Sequence, residues 1–216
     1  MKYLILVISL FLLGACFSKK IPKAPLPKKE IKVMSQEEKF LATLDKKQKD
    51  LYKDLKYYLS QVRILNTENI VQMTYPKLFL AFSEDTFRAQ IFTMRNSSKI
   101  AIQSFETNIS KIEKVQDFSN GSFSQIDYSS KIILEFISPD LYNTKSSIGT
   151  LYSILARKYG IENIYVDMDK RLVTIKKEVK LLAIKEKPNT WKFLVDNPAY
   201  RTYYPSILPY DILNQI

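Results

Sequence analysis

The chain has no histidine, one cysteine and four glycines in 216 residues. Each shortage excludes something. Without histidine there is no Ser-His-Asp or Cys-His catalytic arrangement and no Cys₂His₂ zinc site. A single cysteine makes neither an intrachain disulfide nor a four-cysteine zinc site. Four widely spaced glycines form no phosphate-cradling loop. No apolar run reaches the roughly 20 residues that a spanning helix needs. What is present points to a folded protein: 46% hydrophobic and 12% aromatic residues lie well outside the disordered range. The length fits one domain with a tail. The net charge of +11 is unevenly spread.

The amino terminus carries the clearest signal. Met1-Lys2 is a short positive region, and Tyr3 to Leu13 is apolar apart from Ser9. That run has the length of a signal-peptide core. Leu13-Gly14-Ala15-Cys16 follows and holds the only cysteine. This stretch resembles the lipobox of bacterial lipoproteins. The resemblance implies a signal peptide over 1–15, removed before Cys16, and a diacylglycerol and an acyl chain on Cys16. One acyl chain binds a bilayer only marginally, so two or three make a lasting anchor. The expected partner of this end is therefore a membrane, reached through acylated Cys16 on its extracytoplasmic side. Phe17, where an Asp would retain such a protein at the inner membrane, implies the outer membrane in an organism with two.

Residues 16–35 then read as a tether. From Phe17 to Ser35 there are six Lys against one Glu. Pro22, Pro25 and Pro27 exclude a helix and favour an extended spacer. The strip either lies along anionic head groups or stays solvated. Residues 36–216 retain a net charge of only +5. A pI near 9.5 raises nucleic-acid binding as a first thought. Export, and the lack of clustered Arg beside the Lys, argue against it, and no nucleic-acid partner is expected.

Residues 36–216 read as one α+β domain. Ser35-Gln36-Glu37-Glu38 is a capping-box pattern. Phe40, Leu41, Leu44, Leu51, Leu55, Tyr58, Leu59 and Val62 recur at helical spacing, which predicts one helix of about seven turns from Gln36 to about Leu65. Thr74-Tyr75-Pro76 breaks two short helical pieces, and Ser83 caps a further helix. Apolar positions then shift to strand-like runs: Ile100 to Phe105, Ile109 to Val115, Phe123 to Tyr128, and Ser130 to Ser138, with Asn120-Gly121 a turn. A helix from Ser146 to Tyr159, closed by Gly160, interrupts the strands. Two hairpins follow, turning at Asp167-Met168-Asp169-Lys170 and at Pro188-Asn189. Leu208-Pro209 opens a short terminal helix. Helices first and a strand meander second mean helices packed on an antiparallel sheet.

This order, ending in Trp191-Lys192-Phe193-Leu194, resembles the nuclear transport factor 2-like superfamily, as do Tyr75-Pro76-Lys77-Leu78-Phe79 and Ile207-Leu208-Pro209. The resemblance implies a curved sheet wrapped around the long helix, leaving a cone-like pocket. The helix at 146–159 departs from its simplest form. Enzymes of that superfamily use Asp, Tyr or His in the pocket, and here only Asp and Tyr remain.

Three residues are candidates for such a pocket. Glu135 sits within Ile132-Ile133-Leu134-Glu135-Phe136-Ile137, where a buried carboxylate would serve as a general base. Asp127 and Tyr128 lie just upstream and could face it. Each has a plainer reading, as an edge or solvated position. Asp167 and Asp169 lack the glycine and further oxygens of a calcium loop. No cofactor or metal is expected. Trp191 and Phe193 read as core, and Tyr200, Tyr203, Tyr204 and Tyr210 read as packing of the tail or a contact patch. Two functions follow: a lipid-anchored, non-enzymatic module that binds a protein partner in the cell envelope or a small apolar ligand, or a small-molecule-binding or isomerase-like pocket enzyme.

Overall fold

A computed structural model describes residues 34–138, 145–188 and 190–216. The expected signal peptide, Cys16 and the tether up to residue 33 lie outside the described residues, as does the expected loop from Pro139 to Thr144.

The fold is a mixed helix and antiparallel-sheet architecture. Helices α1 (Gln36–Thr43), α2 (Lys46–Arg63), α3 (Thr67–Met73) and α4 (Glu84–Arg95) come first. Strands β1 (Ile100–Ile112), β2 (Gln116–Phe118) and β3 (Gly121–Phe136) follow. Next come α5 (Lys145–Tyr159), β4 (Ile164–Asp167), β5 (Leu172–Glu186) and β6 (Lys192–Val195). Two short helices close the chain, α6 (Tyr204–Ile207) and α7 (Tyr210–Leu213).

The single seven-turn helix expected from Gln36 to about Leu65 is instead two. Ser35 forms the expected capping box with Glu38. A second box then restarts the chain: the Asp45 carboxylate accepts from the Gln48 N–H, and the Gln48 amide oxygen accepts from the Asp45 N–H, both at 2.8 Å. Leu44 is extended between them and buried. Two of the orphan amide groups at the start of α2 are thereby satisfied locally, which lowers the cost of the break.

Several expected strand pairs are also single strands. β3 and β5 pair without a break from Gly121↔Glu186 to Glu135↔Leu172. They form the centre of the sheet, in the order β1-β3-β5-β4. β1 and β2 lie end to end along one edge of β3, and β4 and β6 do the same along β5. Gly121 opens β3, because a Cβ there would run into the Lys185 carbonyl and the Phe118 ring. Gly160 closes α5 at φ 88°, a conformation open to glycine.

Side-chain alternation divides the two faces. On one face α1–α4 cover Ile126, Tyr128, Val179, Leu181 and Ala183. Further along the same face α5 covers Phe136, Ile164, Val173 and Ile175. Among the described residues, the opposite face is covered at the first of these ends, where Tyr75, Leu78 and the closing helices pack on Phe123, Leu182 and Ile184. Leu181 to Ile184 are therefore all buried, whereas Lys176 to Glu178 in the same strand are exposed.

Candidate functional site

The three pocket candidates are not brought together. Tyr128 lies on the helix-covered face, 6% exposed, between Ile109 of β1 and Val179 of β5. Burial pushes its hydroxyl up to about 12. Asp127 points to the other face, flanked by Lys111 and Lys180. Glu135 shares the Asp127 face, half-buried between Ala101 and Leu172, and its carboxylate accepts from the Gln103 amide. Eight residues of strand put it about 26 Å from Asp127.

The space between α2 and the sheet is filled. Leu51, Leu55, Ile126 and Leu181 are fully buried there. Tyr58 stacks on Phe193 with ring centroids 4.7 Å apart. Burial raises the Tyr58 hydroxyl above its ordinary range, with Tyr128 adding to the effect. Trp191 is core, 2% exposed, and its indole N–H donates to Asp50 at 3.4 Å. Of the tail tyrosines, Tyr204 is buried and donates to Asp196 at 3.0 Å, whereas Tyr210 is exposed. Asp167 accepts from the Lys170 N–H at 3.1 Å and serves the hairpin turn.

One cleft lies beside an edge strand and gathers polar and charged side chains. A groove of about 480 Å³ runs between α1–α2 and the outer edge of β1. One wall holds Phe40, Tyr52, Lys56, Leu59 and Arg63, and the other holds Thr107, Asn108 and Ile109. The helical wall is apolar at its floor, where Phe40 and Tyr52 pack with centroids 5.9 Å apart. Glu37 accepts from Tyr52 Oη at 3.0 Å and from Lys56 Nζ at 2.6 Å. Those contacts hold the Glu37 carboxyl below its ordinary range, Lys56 first and Tyr52 second. Arg63 Nε donates to the Phe105 carbonyl at 3.0 Å, and Gln48 Nε2 donates to the Ile112 carbonyl at 2.8 Å.

Those two bonds fix the direction of the edge. The Phe105 carbonyl points away from β3, so alternation sends the N–H and C=O of Thr107 and Ile109 the same way. The bulge between Ile109 and Lys111 adds one residue, which returns Ile112 to the outward phase. Thr107 and Ile109 thus lie between two capped carbonyls, and their outward groups meet no partner among the described residues. Sequence reasoning singled out none of Gln48, Arg63, Thr107 or Ile109 as functional. Their meeting depends on long-range register, which no local pattern carries.

No protein-family model, curated protein or solved structure matches the chain.

Proposed function

We propose that the chain is a lipid-anchored, non-enzymatic interaction module on the outer side of a bacterial membrane, held there by an acylated Cys16. In an organism with two membranes the Phe17 position directs it to the outer one. The domain is read as a filled variant of the nuclear transport factor 2-like fold. The supporting order is α2, a shorter helical pair, and long antiparallel strands, with α5 as an insertion.

One observation carries the preference for binding over catalysis. The volume that would be a pocket is occupied by Leu51, Leu55, Ile126, Leu181 and Phe193, each at most 1% exposed. Asp127 and Glu135 lie on the other face of the sheet. An isomerase-like site needs a carboxylate facing an enclosed substrate, and neither acid has that setting. A protein partner needs only an accessible surface with unmet bonding capacity.

The anchor is tested by metabolic labelling with palmitate and membrane fractionation. The full chain is expected to take up label and sediment with membranes, and Cys16→Ser is expected to lose both. Label and membrane association retained in Cys16→Ser would overturn the proposal.

A further inference from the structure

We infer that the open stretch of β1 takes an extended segment of a partner protein as an added strand, with an acidic side chain of that segment seated on Arg63. The inference rests on the reading of the chain as an interaction module and names the surface and partner chemistry for it.

The edges of the sheet are treated differently. On the β5 side, β4 has only four residues, and β6 is covered where the Tyr75 N–H donates to the Phe193 carbonyl at 2.9 Å beside a Thr74↔Phe193 bridge. Short or covered edges resist adventitious pairing. On the β3 side, β1 runs for 13 residues. Its carbonyls at Phe105 and Ile112 are capped, and between them Thr107 and Ile109 offer two N–H donors and two C=O acceptors to a groove. A strand laid beside them would make up to four backbone hydrogen bonds, and its alternate side chains would meet Phe40, Tyr52 and Leu59. Strand addition with a helix as the second wall is an established mode of peptide recognition.

Charge selects the occupant. Glu37 and Lys56 neutralise each other at 2.6 Å. Arg63 is exposed, and beyond its Nε bond its terminal nitrogens meet no described residue. A guanidinium fixed at Nε presents a planar pair of donors that matches a carboxylate. A second copy of the chain fits less well. Antiparallel pairing of two β1 strands would bring a second Arg63 into the groove, while the second Glu37 is already paired to its own Lys56 and Glu106 lies on the other face of the sheet. The bulges after Ile102 and Ile109 would also limit the regular stretch.

The test uses the full chain in detergent micelles and labelled, acetylated and amidated decapeptides. The peptides alternate Val, Ile or Phe with Thr and carry one central Asp. Binding is read by fluorescence anisotropy, with Trp191 emission as the check that each variant is folded. Asp peptides are expected to bind, and Lys in place of Asp is expected to weaken binding about tenfold. Arg63→Gln should erase that preference. Methylating the peptide amides in one alternate phase should abolish binding, and in the other phase leave it unchanged. Thr107→Pro, which removes one outward N–H, should weaken binding as Arg63→Gln does. Equal binding by both methylated phases would overturn the inference. So would no binding by any peptide, or a chain that sediments as a dimer with the groove already paired. A failed peptide series would remove this surface and leave the anchored module standing, whereas retained palmitate label in Cys16→Ser would remove the anchor and leave this result intact.

Discussion

The two ends of the central strands are made of the same backbone and held in different ways. At the Gly121/Glu186 end, β3 and β5 are sandwiched: α2 lies on one face and the closing helices on the other. At the Glu135/Leu172 end α5 covers one face, and among the described residues Ile133, Leu172 and Thr174 on the second face are half-buried. Between the two covers on the helix side lies a polar waist, with Thr107, Ser130 and Lys177 in adjacent strands. A long strand therefore need not be apolar along its whole length. Backbone pairing carries it across a polar stretch, and the apolar runs mark where the layers pack most closely.

That contrast can be broken most sharply in the double-covered end. Phe193→Ala removes a stacked ring from a fully packed site and is expected to cost about 3–5 kcal/mol in denaturant unfolding. A loss nearer 1 kcal/mol would mean that the end is looser than its burial implies.

Alkaline pH probes the face that α2 covers. Tyr128 is pushed from 10.0 up to about 12 by burial. A phenol that ionises later in the folded chain contributes stability that is fully present below pH 10. That contribution is lost as pH rises from 10 through about 12, because the unfolded chain releases its proton first. The expected loss from this group is about 2–3 kcal/mol by pH 12. Tyr128→Phe should flatten that part of the decline, and an unchanged profile in Tyr128→Phe would assign the decline elsewhere.

The single-covered end should yield less. Leu155→Ala trims a half-buried contact between α5 and the sheet, with an expected cost of about 1–2 kcal/mol. Hydrogen exchange should rise first in α5 and β4, with the opposite end still protected, since weakly covered units open before the whole. Asp45→Ala, at the restart of α2, is expected to cost about 1 kcal/mol through loss of the cap. At the waist, Ser129→Ala is expected to stay within about 0.5 kcal/mol.

The same contrast explains what could be read from the residues. Helix starts at Ser35 and Ser83 were legible because a cap is a local pattern. The break at Leu44 was legible in principle, since Asp45 and Gln48 repeat the spacing of Ser35 and Glu38, but the apolar stripe running through it outweighed the second cap. The strand runs split in sequence at Ser129, where the chain crosses the waist, yet pairing is continuous there. β2, three residues long, was too short to register as a run of its own. Asp127 and Tyr128 were read as one site because they are neighbours in the chain, and strand alternation sends neighbours to opposite faces. The groove was invisible, for it joins residues of α1 and α2 to β1 through a register that only the folded sheet defines.

The central claim is that β1 keeps an open bonding edge beside α2, and residue-resolved amide hydrogen exchange on the free full chain tests it most directly. Thr107 and Ile109 amides are predicted to exchange rapidly while Glu106 and Asn108, which face β3, stay protected. Equal protection at all four positions would show that the edge is already paired, and would contradict the account.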